Sequence, residues 1–385
     1  MEDKKKVLIV SGEASGELYG SLLAQKLLEK YNDLLVYGIG GDRMRQAGVR
    51  LIGEITGTFG ITETFSSLSK LQKNYNNIIR CLDKERPDVV VLIDFPDFNL
   101  KVAKAVKKRG LKVLYYVSPQ VWAWRKRRIK TIISLTDRLA VILPFEEEIY
   151  KKRGADCEFV GHPIMEEIQR IKGSKKFIRE SIGLRGEGDV LAILPGSRNI
   201  ELKRLLPLYL DVITELSERY KKLQYALPLA PNIDRKVHSA MLKKLQDKGV
   251  KILDGYSTEA LMSADFALIA SGTATLQAAL IGVPMVVVYK LFPLTYLIGR
   301  IVVDVKYISL VNILYGGEIV KELIQWKANR ENVLNEIERL IKEEQVREYM
   351  KEAFQRIRNV YYDKRASERV AEMIGELAGW TEKRG

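Results

Sequence analysis

The tetrapeptide Pro195-Gly196-Ser197-Arg198 puts backbone amides, a hydroxyl and a guanidinium into one turn. A diphosphate asks for that set: amide donors at the start of a helix, and an arginine able to fork onto two oxygens. An ordinary turn with an N-cap serine has the same composition, so its place in the fold must decide. Ser271-Gly272-Thr273, with Thr275 behind it, repeats the arrangement ahead of a second helical pattern. Two anion-suited helix starts suggest a nucleotide diphosphate lying across both. Asp94 closes a wholly apolar run, VVVLI at 89–93. A half-buried carboxylate there is a usable proton acceptor, and Asp94 is the expected general base. Asp97 and Asn99 follow it, and Asp97 suits a helix cap as well as it suits a substrate.

Two further segments carry chemistry. SGEASGELYG (11–20) spaces Gly12, Gly16 and Gly20 four apart, which is neither the GxGxxG of a dinucleotide site nor a P-loop. Its glycines allow close backbone approach to a ligand, or simply make a tight turn that packs a helix. Glu13 and Glu17 repel phosphate and suit sugar hydroxyls. The stretch YYVSPQVWAWRKRRIK (115–130) passes from a buried strand to Trp122 and Trp124, then to Arg125, Lys126, Arg127, Arg128 and Lys130. These belong on an anionic surface or around a phosphate; a solvated helix face with its tryptophans in the core is the alternative. No Asp-x-Asp pair occurs. Helix dipoles and Arg198 are therefore expected to neutralise a departing diphosphate without a metal, and no cofactor is expected.

Those residues must be positioned by something. Eleven short apolar runs, from VLIVS (7–11) to MVVVY (285–289), alternate with amphipathic segments. Strands spaced by helices imply parallel sheets with right-handed crossovers. Six runs precede Gly161 and five follow Asp189, with the charged, strand-poor segment 164–189 between. The expected architecture is α/β: two Rossmann-like domains with parallel sheets facing across a cleft, plus C-terminal helices. The expected limits are 1–165, 166–350 and a helical 351–385 packing back on the first domain. In such sheets ligands bind beyond the carboxyl ends of the strands, where the motifs above fall.

Composition limits the classes. The 385 residues exceed what one hydrophobic core usually serves. The net charge of +14 favours anionic partners without specifying a fold. Cys81 and Cys157 form no CxxC and read as buried small hydrophobes, and two histidines make a histidine-rich metal site improbable. The first residues, MEDKKKVLIVSGEASG, lack the apolar core of a signal peptide. Phe266–Tyr289 runs 24 residues without a charge, but Ser271-Gly272-Thr273 and Gly282-Val283-Pro284 break it into strand, helix and strand. The chain carries neither an RNP-like aromatic pair nor zinc-spaced cysteines, and its basic residues are spread over both domains, so no nucleic acid is expected.

In their order along the chain, the blocks SGEASGELYG, FGITETF (59–65), IDFPDFNLK (93–101), YVSPQVWAWRKRRIK, LPFEEEIY (143–150), FVGHPI (159–164), LPGSR (194–198), SGTATLQAAL (271–280) and YISLVNIL (307–314) resemble the lipid-A-disaccharide synthases. These are glycosyltransferases of the two-Rossmann (GT-B) type. SPxVWAWR is the most specific block; LPGSR and SGTAT are shared with related transferases. The resemblance implies an inverting hexosyltransferase at the cytoplasmic face of the membrane. It would move 2,3-diacylglucosamine from UDP to the 6-hydroxyl of 2,3-diacylglucosamine 1-phosphate. It also implies UDP held by Gly196, Ser197, Arg198, Ser271, Gly272, Thr273, Gln277 and Asn312. The acceptor sugar would lie near Ser15, Gly16, Glu17, Asp97, Asn99, Ser118 and Trp122. Trp124, Arg125, Lys126, Arg127 and Arg128 would meet membrane or phosphate. Gln277 stands where a glutamate is usual, Val311 where a proline is, Gly317 where an arginine is, and Glu17 where an aspartate is. The alternatives are another GT-B enzyme, such as a UDP-N-acetylglucosamine epimerase, or a basic nucleic-acid-binding protein.

Overall fold

The computed structural model describes residues 4–54, 65–122, 127–292 and 306–382. The chain forms two compact units: Met1–Ile164 with Lys364–Gly385, and Met165–Asp363.

Unit 1 is built on seven strands: β1 (Lys5–Ser11), β2 (Leu34–Gly40), β3 (Arg50–Glu54), β4 (Val89–Ile93), β5 (Lys112–Tyr116), β6 (Arg138–Val141) and β7 (Cys157–Phe159). They lie in the order β3-β2-β1-β4-β5-β6-β7, every neighbour parallel. The runs of Val, Leu and Ile explain why: β4, VVVLI, is buried at every residue, as a parallel strand covered on both faces must be. β3, RLIGE, is an edge strand with no fully buried residue, so hydrophobic patterning does not reveal it. The helices that matter here are α1 (Ala14–Lys30), α2 (Asp42–Gln46), α3 (Phe65–Lys84), α4 (Pro96–Lys107), α5 (Arg128–Leu135) and α6 (Pro144–Lys151).

Unit 2 opens with α7 (Ile164–Arg170) and α8 (Lys175–Ser181). It has six parallel strands: β8 (Val190–Leu194), β9 (Gln224–Leu229), β10 (Val250–Asp254), β11 (Phe266–Ala270), β12 (Met285–Tyr289) and β13 (Lys321–Ile324). Their order is β10-β9-β8-β11-β12-β13, the doubly wound Rossmann order. Between them run α9 (Asn199–Arg219), α10 (Arg235–Asp247), α11 (Ser257–Ser263), α12 (Thr273–Ile281) and α13 (Leu310–Tyr315). The uncharged stretch at 266–289 is β11-α12-β12. Among the described residues, no helix is long and apolar enough to cross a membrane. β13, KELI, is too short and polar to stand out in the sequence.

The expected helical segment from 351 divides differently. After α14 (Arg330–Lys342), α15 (Glu344–Tyr361) runs straight through that boundary. It buries Met350, Ala353, Phe354 and Ile357 within unit 2, packing on α12 and α13. Only α16 (Ala366–Ala378) returns to unit 1, lying against α1. Val370 and Ile374 are buried there, and the Tyr31 hydroxyl donates to the Ala371 carbonyl at 3.3 Å. Arg369 grips both oxygens of Glu158, at 2.6 and 2.8 Å, along with Glu372 and Glu376 of its own helix. Replacing Ile374 by Ala should cost about 2–5 kcal/mol. By hydrogen exchange the loss should appear in α1 and β1, with 190–360 unchanged; equal loosening of both units would contradict the assignment of α16 to unit 1.

Candidate active site

Each sheet reverses its strand order once, and the candidate residues collect at the two reversals. In unit 2, β8 and β11 pair directly, with Leu194 opposite Ile269. The turns that follow them, Pro195–Arg198 and Ser271–Thr273, therefore emerge side by side. A third block joins them: the Ser271 hydroxyl donates to the Ile308 carbonyl at 3.0 Å, bringing the segment before α13 to the same edge.

The two anion-suited turns are not in the same state. Glu201, in the first turn of α9, accepts from the Ser197 and Arg198 amides through Oε2, at 3.0 and 3.3 Å. Gly196, at φ 107°, leaves the space that this carboxylate fills; a Cβ there would sit 2.1 Å from it. Two amides expected to face a diphosphate are thus taken by a capping box. The α12 start is different. Its N-cap, Gly272, is exposed and has no side chain to offer as a cap, and the space where a Cβ would stand is open. That helix start is available to an anion, with Thr273 at its first position and Arg198 on the adjoining turn.

Gln277 and Asn312 serve the frame. Gln277, buried on α12, donates to the Thr258 hydroxyl of α11 at 2.7 Å. Asn312 is fully buried and its amide is saturated. It donates to the Val320 carbonyl and to Glu322, both at 2.9 Å, and accepts from the Ile319 and Val320 amides at 2.9 and 3.1 Å. Glu322 also accepts from the Ile308 and Ser309 amides and the Ser309 hydroxyl, at 2.9, 3.0 and 2.6 Å. Asn312 and Glu322 thereby lock the 308–312 segment to β13, which fixes the position of Ser271. A cavity of about 510 Å³, lined by Arg185, Lys221, Lys248 and Lys251, lies at the opposite, amino end of this sheet.

In unit 1 the reversal lies between β1 and β4, where Ser11 pairs with Ile93. Gly12 and Asp94 therefore emerge together. A Cβ on Gly12 would run into the Phe95 ring at 2.3 Å, so only glycine lets the two turns close up. Asp94 and Phe95 both hold left-handed backbone, at φ 46° and 50°, and Val117, after the neighbouring β5, does so at 61°. For a β-branched valine that is a strained outlier. Asn99 secures the Asp94 turn, donating to the Ile93 and Asp94 carbonyls at 3.1 and 2.7 Å, and the Tyr115 hydroxyl donates to the Asp94 carbonyl at 2.7 Å. Asn99 is fully buried, so it positions Asp94 from beneath. Asp94 itself is half-buried, and its charge helps to raise the pKa values of Tyr19, Tyr115 and Glu146.

The remaining candidates divide between frame and surface. Gly16 is buried and Ser15 half-buried in the first turn of α1. Glu17 is engaged by backbone: it accepts from the Arg43 amide at 2.9 Å at the start of α2, and burial raises its carboxyl pKa. Asp97 is paired with Arg128. Ser118 is buried and bonded to the Tyr150 hydroxyl. Trp122 is half-buried, donating its indole N–H to Glu146 at 3.0 Å and standing edge-on to Phe145. Arg127 is exposed; Trp124, Arg125 and Lys126 lie outside the described residues. Sequence reasoning missed Glu146, Glu201, Tyr115 and Glu322. Glu146 and Glu201 each stand at the third position of a helix, where a capping-box carboxylate falls, but neither follows the Ser or Thr that marks such a box in a sequence. Among the described residues, no group of three His, Cys, Asp or Glu is placed to hold a metal.

The comparisons give the family and the fold. A family model described as lipid-A-disaccharide synthetase matches residues 7–374. The lipid-A-disaccharide synthase of Syntrophus aciditrophicus is 40% identical over 373 residues, covering 96% of this chain and 97% of that one. That of Myxococcus xanthus is 36% identical over 381 residues, 98% of each. Among solved structures, the Staphylococcus aureus MnaA–UDP co-structure superposes with a TM-score of 0.70 at 14% identity, covering 98% of both chains. UDP-GlcNAc 2-epimerase from Neisseria meningitidis, bound to UDP-GlcNAc, gives 0.67 at 15%, covering 96% of this chain and 100% of that one. At such identities the likeness is one of fold, the GT-B pair of Rossmann-like sheets.

Asn312→Ala should lower stability by about 1–3 kcal/mol, because it strands the Ile319 and Val320 amides. Thermal unfolding is the check, and an unchanged midpoint would remove Asn312 from its framing role.

Proposed function

This chain belongs to the lipid-A-disaccharide synthetase family, and on that premise we propose that it joins two diacylated glucosamines by inverting transfer. The donor is UDP-2,3-diacylglucosamine and the acceptor is 2,3-diacylglucosamine 1-phosphate. The observation that carries the mechanism is Asp94: a carboxylate at a sheet reversal, in strained backbone that Asn99 and Tyr115 hold in place.

Asp94 takes the proton from the acceptor 6-hydroxyl as that oxygen attacks the anomeric carbon. The new bond is C1–O6, and the bond that breaks joins C1 to the UDP oxygen. The configuration inverts and UDP departs with the electron pair. UDP is a good leaving group, so one base suffices where a glycosidase uses two carboxyls. Charge developing on the diphosphate is met by the α12 N-terminus at Ser271–Thr273 and by the Arg198 guanidinium. Gly196 and Ser197 shape the turn that carries Arg198. Gln277 and Asn312 hold the helices behind it.

Both substrates carry acyl chains, so they are drawn from a membrane. Trp124, Arg125, Lys126 and Arg127 are assigned to its anionic surface, with Arg128 partly neutralised by Asp97. Each exposed cation near such a surface contributes about 1 kcal/mol.

The test is to incubate the purified chain with both diacylated sugars, without added metal, and to analyse the products. A β-1,6-linked disaccharide 1-phosphate and UDP are expected; no disaccharide from these sugars would refute the assignment. Asp94→Asn should lower kcat by about 10²–10⁴-fold while UDP binding is retained. Arg198→Ala should raise the donor KM and lower kcat, and unchanged kinetics would take Arg198 out of the site. The Arg125/Lys126/Arg127 triple-alanine variant should sediment less with vesicles containing phosphatidylglycerol, and binding equal to the parent would exclude this stretch as the docking surface.

A further inference from the structure

Glu146 is the most deeply buried acid among the described residues, 1% exposed, and no described cation pairs with it. Its hydrogen-bond donors are neutral. The Trp122 indole donates to one oxygen at 3.0 Å, the Leu143 amide donates to the other at 3.3 Å, and the Ile142 amide also donates to the carboxyl. Four residues before Trp122, Ser118 is bonded to Tyr150 of the same helix, α6. The segment Ser118–Trp122 is therefore clamped to α6 at both ends. It follows Val117, whose left-handed backbone adjoins that of Asp94, because Ile93 and Tyr116 are register partners. Glu146 thus fastens the loop beside the proposed base.

Among the described residues, the electrostatics of this corner are one-sided. The titratable groups acting on or felt by Glu146 are Asp94 from the end of β4, Tyr150 of α6 and Cys157 of β7. Burial holds Tyr150 protonated and pushes the Cys157 thiol up to about 12, so neither supplies a positive charge. Burial, helped by the Asp94 charge, pushes the Glu146 carboxyl up to about 8 in spite of its three donors. At neutral pH it is a neutral acid, and above about 8 it becomes a second carboxylate in the field of the first.

We propose that Glu146 is a positioning residue for the transfer, holding Trp122 beside the Asp94 turn. This rests on the acceptor site proposed above. The acceptor is an anion, and one negative charge at Asp94 is what the chemistry requires. A second, which no described cation compensates, opposes acceptor binding in a low-dielectric corner. The sign follows: activity is present below about pH 8 and falls as pH rises through it.

The experiment is the pH profile of kcat/KM for the acceptor. The parent should fall by up to about tenfold per unit above the midpoint. Glu146→Gln, neutral at every pH but short of one acceptor atom, should be slower throughout and lack that fall. Trp122→Phe should keep the fall and raise the acceptor KM more than it lowers kcat. An alkaline fall in Glu146→Gln matching the parent's would overturn the proposal. Should Glu146→Gln not fold, the Trp122 indole N–H resonance of the unmutated chain, identified by its loss in Trp122→Phe, serves instead. It should shift with a midpoint near 8, and a resonance flat between about pH 6.5 and about 9.5 overturns the idea. An unmutated chain that makes no disaccharide at pH 7 would sink the assigned function instead, and the indole titration would still decide the state of Glu146.

Discussion

Where a parallel sheet reverses its strand order, the helices after its two central strands leave on opposite faces, and nothing covers the strand ends between them. The candidate turns of this protein are placed by that constraint. In unit 1 it sets Gly12 beside Asp94; in unit 2 it sets Pro195–Arg198 beside Ser271–Thr273. Turns 82 residues apart (Gly12 and Asp94) and 76 apart (Pro195 and Ser271) become neighbours because β1 pairs with β4, and β8 with β11.

Bringing backbone so close has a conformational cost. Asp94, Phe95 and Val117 take left-handed backbone within two adjacent turns. Such conformations cost of the order of 1–3 kcal/mol each and persist only where the surroundings over-determine them. Here the surroundings are Asn99 and Tyr115, whose polar atoms end on the carbonyls of that turn. Unit 2 meets the same need with carboxylates. Glu201 closes the Ser197–Arg198 turn, and Glu322 closes the segment that reaches Ser271. A carboxylate that accepts several backbone amides is well satisfied, which is why it makes a stable frame and a poor partner for another anion.

The acidic residues at these edges therefore do separate work. Glu17, Glu201 and Glu322 are consumed by backbone amides, and Asp97 by Arg128. Glu146 is buried and no described residue serves it as a counter-ion, and Asp94 stands half-buried at the reversal itself. Environment sorts carboxylates of one chemical type into amide-bound caps, an ion pair, a buried acid whose pKa is pushed up, and a half-buried group at a strand end. The excess of 14 positive charges over the chain works on a longer scale, favouring anionic partners in general without fixing where one would bind.

Much of the fold was legible in the sequence. Apolar runs such as VVVLI and MVVVY are strands wherever they occur, because a parallel strand buried on both faces needs no alternation. Edge strands such as RLIGE and KELI were not legible, since exposed edges carry no such run. The motif turns could be read as lying between strand and helix, and Asp94 as closing its strand. Which side chains in those turns remain open to a ligand depends on residues distant in sequence. The family resemblance implied Gln277 and Asn312 as nucleotide contacts; that Gln277 donates to Thr258, and that Asn312 is held by Val320 and Glu322, could not be read from sequence. Composition and spacing fix which groups are present at a turn; only the packed structure decides which of their hydrogen-bonding positions are already filled, because the partners arrive through tertiary contacts that no local pattern encodes.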